Sequence, residues 1–248
     1  SGGWPELQIN PGLNVIQYLN DYIRTYIEKD IAHSAGIQKM LEFLKLLGLL
    51  AARTGQLLNY DSLANDAGVS SVIVKDWISM LEKSGIVYLL RPLSSNLNKR
   101  LTKSCKIYFL DTGLACRLQG WQESKPMQKS PQFGHLFETL VLAEIVKAKD
   151  SFLKNWNICL FRTKDQEELD FVLENGSKVV LLEVKLGSQK IPDVKIPNSL
   201  KKIYPNLDHV FVVSYGGERK KISPNCTQIP IKHLTTFLND ENSWTQIL

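Results

Sequence analysis

Several short motifs that identify common enzyme classes are missing from this sequence of 248 residues. No Gly-Lys dipeptide occurs, so the chain lacks the G-x-x-x-x-G-K-[ST] loop with which P-loop enzymes hold nucleotide phosphates. No H-E-x-x-H pattern is present for a zinc protease, and no G-x-S-x-G turn is present for a serine nucleophile. The sequence therefore predicts no ATPase, zinc protease or serine hydrolase site.

Cysteine clusters and long apolar runs are also missing. The cysteines at positions 105, 116, 159 and 226 form no C-x-x-C pair, so neither a zinc site nor a disulfide framework is indicated. The longest apolar run, at 46–52, is far shorter than the roughly 18 residues that cross a bilayer. There is no basic region followed by an apolar signal core. We therefore expect no membrane segment and a cytoplasmic location.

The composition is that of an ordinary folded protein. Hydrophobic residues make up 44% of the chain and charged residues 22%, and the chain is long enough for two modest cores. The net charge of +5 permits binding to nucleic acid without requiring it. Nothing in the composition indicates an oligomeric state.

The first half of the chain has the apolar spacing of several helices. Helices are predicted at 13–31 and 37–53. A short helix at 62–66, with Asp61 as its cap, and a longer helix that begins at Ser70 follow closely. This pattern is typical of a helix-turn-helix.

Two predicted strands, at 86–90 and 106–110, would form the sides of a wing, and the helix-turn-helix and wing together predict a winged helix. Residues 91–110 contain several basic residues and no acidic residue, and such a patch attracts phosphates. A solvated basic loop is an equal alternative, and the second helix is as suited to protein contact as to DNA. The candidate nucleic-acid contacts are Lys75, Arg91, Lys99, Arg100, Lys103 and, in the second half, Arg162.

The strongest local signal is the Asn175-Gly176 dipeptide between two alternating apolar runs, which predicts a hairpin with a two-residue turn. A turn at these positions pairs residue 174 with residue 177. Asp170 then lies opposite Leu181 and diagonal to Glu183, at roughly 7–8 Å between backbones. Lys185 shares a face with Glu183 because strand side chains alternate. Two carboxylates at that separation can share a cation.

A third carboxylate, Glu138, lies upstream on a helix that the apolar spacing predicts at 132–149. The order of Glu138, then Asp170, then Glu183-Val184-Lys185 resembles the PD-(D/E)XK nuclease superfamily. The resemblance implies that Asp170 and Glu183, with the backbone carbonyl of Val184, hold Mg²⁺ or Mn²⁺. It also implies that Lys185 orients or helps to deprotonate the attacking water, and that Glu138 acts through water or a second ion.

Four sequence motifs support a resemblance to a narrower family. They are Lys106-Ile107-Tyr108-Phe109-Leu110-Asp111-Thr112-Gly113, Gly134-His135-Leu136-Phe137-Glu138, Phe161-Arg162-Thr163 and Glu168-Leu169-Asp170-Phe171. In this order they resemble the domain of unknown function 4143 over nearly the full chain. That family forms the C-terminal half of bacterial and archaeal AAA-type ATPases, in which a winged helix leads into a nuclease-like domain. Residues 2–6 resemble the end of the ATPase half, so we expect the chain to be joined normally to an N-terminal ATPase. Gln166 departs from the family, which often has glycine there, and Leu169 replaces the proline of the motif's name.

The predicted fold class is α+β. A helical lead-in at 1–35 and a winged-helix domain at 36–125 precede a restriction-endonuclease-like domain of three layers at 126–248. Residues 112–131 are predicted to be the linker between the last two domains. The second domain is an αβββαβ core with a strand at 156–163, the hairpin at 168–185, a helix at 197–204, a strand at 209–215 and a closing helix at 231–239.

Two functions of different classes follow. The first is a Mg²⁺-dependent deoxyribonuclease that hydrolyses phosphodiesters through Glu138, Asp170, Glu183 and Lys185. The second is a module without catalytic activity that binds DNA or protein and serves the ATPase. In the second case the Asp170, Glu183 and Lys185 side chains form an ion network that orders the sheet.

Overall fold

The structure is a computed structural model, which describes residues 2–33, 35–93 and 104–246. The described chain divides into two units. The first contains the residues up to Leu89 together with Lys106–Leu140, and the second contains Leu90–Cys105 together with Val141–Leu248. The predicted domain boundaries at residues 35 and 125 do not coincide with this division, and they stay predictions.

Helices account for most of the first unit, and they begin with α1 at Pro5–Ile9, α2 at Val15–Tyr22, a π-helix at Ile23–Ala32 and α3 at Met40–Ala52. The helix predicted at 13–31 is confirmed as α2 and the π-helix that follows it directly, and the helix predicted at 37–53 is confirmed as α3. One side of α3 is fully buried, which explains its strongly apolar sequence.

The next two helices, α4 at Tyr60–Ala67 and α5 at Ser71–Lys83, confirm the predicted pair at this point of the chain. Gly68 follows α4 with φ of +78°, a left-handed conformation that glycine adopts without strain. Ser70, where the longer helix was predicted to begin, is the residue that caps α5, because its hydroxyl oxygen accepts a hydrogen bond from the N–H of Ile73 at 3.3 Å.

The predicted cap at Asp61 is wrong. Asn59 caps α4 instead, because its side-chain oxygen accepts a hydrogen bond from the N–H of Ser62 at 3.0 Å. Asn59 also has the extended backbone that a capping residue needs, whereas Asp61 already lies in the first helical turn. Both residue types favour helix starts, so the sequence alone did not separate them.

Three strands follow, β1 at Gln56–Leu57, β2 at Val87–Pro92, whose last three residues belong to the second unit, and β3 at Lys106–Phe109. They confirm the strands predicted at 86–90 and 106–110. β3 lies between β1 and β2, with Gln56 of β1 opposite Ile107 in antiparallel pairing. Most of the predicted wing loop, at 94–103, lies outside the described residues.

The segment predicted as a linker contains two helices, α6 at Thr112–Leu118 and α7 at Ser124–Gln128. Asp111 caps α6 by accepting a hydrogen bond from the N–H of Leu114 at 2.6 Å, and Leu114 is buried. The next helix, α8 at Phe133–Ser151, confirms the helix predicted at 132–149. No helix within the described ranges is both long and apolar enough to cross a membrane.

The second unit contains the part of α8 that begins at Val141, followed by strands and two short helices. These elements are β4 at Asn157–Arg162, β5 at Glu168–Asn175, β6 at Lys178–Lys185, α9 at Asn198–Ile203, β7 at Val210–Ser214, β8 at Lys220–Ser223, β9 at Cys226–Pro230, α10 at Leu234–Asn239 and β10 at Thr245–Gln246. Short 3-10 turns lie at Ile231–His233 and Glu241–Ser243. The strand order is β4-β5-β6-β7-β9-β8, and β10 pairs with β6. β4, β5 and β6 are antiparallel neighbours, whereas β6, β7 and β9 run parallel. These mixed helices and strands confirm the α+β class.

The hairpin of β5 and β6 is confirmed, but its predicted register is wrong by two residues. Asn175 pairs with Lys178, so the two-residue loop is Gly176 and Ser177. Gly176 has φ of +60° at the first loop position, which is where a type II′ turn requires glycine. Asn175 therefore stays in the ladder. A shift of two residues keeps every side chain on its predicted face.

Replacing Asn59 with alanine should lower the free energy of unfolding by about 1 kcal/mol, because α4 loses its side-chain cap. Replacing Asp61 with alanine should lower the free energy of unfolding less than Asn59→Ala does when the salt concentration is high. Asp61 contributes only the interaction of an acidic side chain with the helix dipole, roughly 0.3–1 kcal/mol, and salt screens that interaction. Urea unfolding of both variants measures the difference. A larger loss in Asp61→Ala at high salt would contradict the cap assignment.

Candidate functional site

Three of the predicted site residues meet on one face of the hairpin. Continuing the ladder from the pair Phe171 and Leu182 places Asp170 directly opposite Glu183, where the sequence predicted a diagonal arrangement. Lys185 lies two residues further along the same face, and its Nζ is 2.7 Å from Oε1 of Glu183. The structure therefore brings these three side chains together, and their catalytic roles stay predictions.

The backbone ladder opens at this point, and side chains accept its last hydrogen bonds. The N–H of Val184 donates to Oδ2 of Asp170 at 2.8 Å. The N–H of Asp170 in turn points at Oε2 of Glu183 at 3.4 Å. Each carboxylate is thus fixed by a backbone group of the opposite strand, and both are held at the open end of the hairpin.

The hairpin face that carries Asp170 and Glu183 is apolar near the turn and polar at the open end, where these two residues lie. Val172 of β5 and Leu181 of β6 are buried there under Ile196, Leu200 and Tyr204. At the site the Glu183 side chain is still 13% exposed and the Lys185 side chain is 41% exposed. The three groups are therefore neither on opposite sides of the sheet nor sealed from solvent.

Glu183 has an unusual proton affinity for a carboxyl group. Its pKa is raised from 4.5 to about 7, first by burial and then by the negative charge of Asp170. Lys185 donates a hydrogen bond and lowers the pKa, but this contribution is smaller than the other two. The site thus holds more negative charge than one lysine compensates, which is the condition that favours a bound cation.

Oxygen donors dominate the site. Within the described ranges no group of three or more His, Cys, Asp and Glu side chains converges on one point. A Mg²⁺ ion needs only one or two protein carboxylates, since it keeps several waters in its octahedral shell. Asp170 and Glu183 fit that requirement in number and in chemistry.

Glu138 belongs to the first unit, where it is buried and held by two donors. Lys106 Nζ lies 2.9 Å from Oε1 of Glu138, and the hydroxyl of Tyr108 donates to the same oxygen at 2.5 Å. The predicted role of Glu138 through water or a second ion stays a prediction. Burial, and then the charge of Lys106, lower the pKa of His135 one turn earlier on α8.

Lys106 was not predicted to be a partner of Glu138. It lies in the basic segment 91–110 of the predicted wing, but its side chain is buried and neutralises the carboxylate. The burial pattern of β3, in which every residue is buried, explains this position. Tyr108, two residues later, was missed as well. The alternation of strand side chains, which places positions 106 and 108 on one face, was the available signal.

The candidate nucleic-acid contacts are scattered. Lys75 is exposed, and its ammonium lies 5.5 Å from the centre of the Tyr60 ring. Arg91 is exposed on β2. Arg162 forms an ion pair with Glu168 at 2.9 Å, so part of its charge is already compensated. The remaining three candidates, Lys99, Arg100 and Lys103, lie outside the described residues.

Replacing Glu183 with glutamine should remove much of the decrease in stability that occurs as pH rises from 5 to 8. The folded protein binds the Glu183 proton more tightly than the unfolded chain does. The stability from this group is therefore complete below pH 4.5 and is lost as the pH rises through about 7. At about 1.4 kcal/mol per pKa unit, this loss is about 3 kcal/mol.

Urea unfolding of the wild-type protein and of Glu183→Gln at several pH values in a chelating buffer measures this effect. The matched control is Glu168→Gln, which changes a more exposed carboxylate on β5 and should keep the wild-type pH dependence. Parallel pH curves for the wild type and Glu183→Gln would contradict the raised pKa.

Two family models match the chain. One describes a domain of unknown function, DUF8612, and matches residues 1–125, and the other describes the domain of unknown function DUF4143 and matches residues 133–234. The resemblance to the domain of unknown function 4143 is thus confirmed for the second half of the chain. The motif at 106–113, which the sequence analysis assigned to the same family, falls within the DUF8612 match.

Similar whole proteins are uncharacterised. Proteins of Mycobacterium tuberculosis and Mycobacterium bovis are each 26% identical over 215 residues, which are 87% of this chain and 47% of the relative. A protein of Methanocaldococcus jannaschii is 25% identical over 226 residues, covering 89% of this chain and 44% of the relative. The chain therefore spans just under half the length of these curated relatives.

The match to a solved structure of a Vibrio cholerae protein covers 96% of this chain and 56% of the Vibrio chain, at 13% sequence identity. Its TM-score of 0.26 is too low to support a fold argument. The DUF8612 match, by contrast, extends over half of the 248 residues. The chain therefore belongs to the DUF8612 family, and its second half carries a DUF4143 domain.

Proposed function

We propose that this chain is a Mg²⁺-dependent nuclease module that hydrolyses phosphodiester bonds in DNA. The observation that carries the proposal is the placement of Asp170 directly opposite Glu183, with Lys185 beside them, at the solvent-exposed end of a hairpin. The raised pKa of Glu183, caused first by burial and then by the charge of Asp170, supports it, because a divalent cation stabilises a buried carboxylate that also repels its neighbour. A purely structural ion network would gain nothing from this repulsion.

Each residue of the site has a distinct task in this proposal. Asp170 and Glu183 would hold the ion, together with the Val184 carbonyl by resemblance to the PD-(D/E)XK superfamily. The ion, when bound, polarises the scissile phosphate and lowers the pKa of a bound water. Lys185, whose side chain is 41% exposed, would orient that water, and its positive charge would stabilise the negative charge that develops on the phosphate.

The wider architecture belongs to the same proposal. α4, α5 and the strands β1, β3 and β2 would form a winged helix, and the second unit would be a restriction-endonuclease-like domain. The order of α8, the three strands β4 to β6, α9 and β7 supports that reading. Since the chain spans less than half the length of its relatives, we also propose that an AAA-type ATPase domain is its partner within a longer protein.

A second function is favoured by one observation. The Lys185 ammonium already lies 2.7 Å from Glu183, so the network is partly neutralised without a metal ion. A module without catalytic activity that binds DNA or protein for the ATPase is consistent with that contact. The basic residues would then carry binding, and the carboxylates would be dispensable for it.

Nicking of supercoiled plasmid in millimolar Mg²⁺ or Mn²⁺ tests the nuclease proposal. Asp170→Asn and Lys185→Ala should each lower the nicking rate by on the order of 100-fold, because each removes a group that acts on the attacking water or its ion. The matched control is Lys202→Ala, which changes an exposed lysine on α9 and should keep full activity. All variants should keep circular dichroism spectra of the wild type.

Equal nicking by the wild type and by both site variants would assign the cleavage to a contaminant. No nicking by any protein, combined with DNA binding that survives Asp170→Asn, would overturn the nuclease proposal in favour of the second function.

A further inference from the structure

A short loop follows Lys185, and three of its carbonyl groups accept hydrogen bonds from other segments of the second unit. The carbonyl of Gly187 accepts from the N–H of Gly216 at 3.4 Å. The next carbonyl, of Ser188, accepts from Nε2 of Gln228 at 3.2 Å. The carbonyl of Gln189 accepts from Nζ of Lys220 at 3.1 Å. Three successive carbonyls are thus engaged by groups of the second unit.

This arrangement fixes the direction of the neighbouring amide groups. All peptide bonds of the described chain are trans, so the N–H of each peptide points away from the carbonyl of the same peptide. The N–H groups of Ser188, Gln189 and Lys190 therefore point away from the three groups that donate to these carbonyls. The side chains of these three residues are exposed as well. Oriented backbone amides of this kind are donors for an anion.

The loop is held in this conformation by a buried polar side chain. Gln228 is fully buried on β9, and its Nε2 also donates to the hydroxyl oxygen of Ser214 at 2.9 Å. Its Oε1 has no hydrogen-bond partner among the described residues, so within this part of the structure the Gln228 amide acts only as a donor.

Glycine is required where the loop crosses the end of β7. Gly217 has φ of +89°, and a Cβ atom there would lie 2.1 Å from the carbonyl oxygen of Ser188. It would also lie 2.8 Å from Nε2 of Gln228. Any other residue at this position would push the loop off the sheet. The loop is therefore positioned before any ligand arrives.

The strand register relates this loop to the carboxylate site. Glu183 is opposite Val212, Val212 is opposite Gln228, and Gln228 is opposite Lys220, all on one face of the sheet. At about 4.8 Å between neighbouring strands, Gln228 lies about 10 Å from Glu183. The loop that Gln228 holds therefore lies beside the carboxylate site, as its position two residues after Lys185 also requires.

The charge around the loop favours an anion. Lys190 is exposed on the loop itself, and the Lys220 ammonium lies against its backbone. The acidic side chains of the neighbouring segments already have partners. Asp193 accepts a hydrogen bond from the Ser223 hydroxyl at 2.8 Å, and Glu218 forms an ion pair with Lys232 at 3.1 Å.

We propose that residues 187–190 form a phosphate-binding loop that holds a backbone phosphate of the DNA strand beside the scissile one. The donors are the N–H groups of Ser188, Gln189 and Lys190 and the ammonium of Lys190. The loop thereby positions the strand across the parallel strands β6, β7 and β9. This inference rests on the proposed function, since it assigns the loop to the same substrate.

The binding of a fluorescent single-stranded DNA oligonucleotide in chelating buffer tests the loop without cleavage. Gln189→Pro removes one outward N–H, whereas the matched variant Gln189→Ala keeps it. Gln189→Pro should bind about tenfold more weakly than Gln189→Ala, in line with the loss of a charge-assisted hydrogen bond. Lys190→Ala should also weaken binding and reduce the slope of log K against log salt by about 0.7, while Lys202→Ala should change neither.

Equal affinities of Gln189→Pro and Gln189→Ala, with no effect of Lys190→Ala on the salt slope, would overturn the proposal. If Gln189→Pro melts at a much lower temperature, Lys190→Ala and its salt slope decide the outcome. Loss of binding in the loop variants, combined with no cleavage by the wild type, would reject the nuclease activity and support the phosphate-binding role of the loop. Cleavage that depends on Asp170 but not on the loop would reject the loop alone.

Discussion

The electrostatic repulsion between Asp170 and Glu183 is the constraint on which the functional account depends. Two carboxylates face each other across one pair of strands, and each is fixed by a backbone N–H of the other strand. Burial, and then the charge of Asp170, raise the pKa of Glu183 to about 7, and Lys185 offsets only part of that rise. Proteins tolerate such uncompensated charge mainly where function requires it, because it lowers stability. The apolar face under Ile196 and Leu200 supplies the rigid support for the arrangement.

The site also has a favourable place in the topology. β6, β7 and β9 run parallel, so their carboxyl ends lie at the same edge of the sheet. Loops at the carboxyl ends of parallel strands are where open sheets of this kind bind their ligands. Lys185 ends β6, and Gln228 donates hydrogen bonds both to the loop that follows β6 and to the segment that follows β7. Sheet register and loop hydrogen bonds therefore converge on one region of the second unit.

Much of this arrangement followed from the sequence, because it depends on local rules. The Asn175-Gly176 signal gave the hairpin, and strand alternation put Asp170, Glu183 and Lys185 on one face. The register was wrong by two residues because the glycine, not the asparagine, occupies the first turn position. Contacts between distant segments were not predictable in this way. The burial of Lys106 against Glu138, separated by 32 residues, and the contact of Gln228 with Ser188, separated by 40 residues, depend on tertiary packing.

Titration of the protein with Mn²⁺ by isothermal calorimetry near pH 7 is the most direct measurement of the central claim. The account predicts a binding site for the ion that is lost in the double variant Asp170→Asn, Glu183→Gln, with proton release from Glu183 on binding because its pKa lies near the working pH. Absence of binding at millimolar Mn²⁺, or equal binding by the double variant, would contradict it. In that case the three side chains would be an ion network that serves the fold alone.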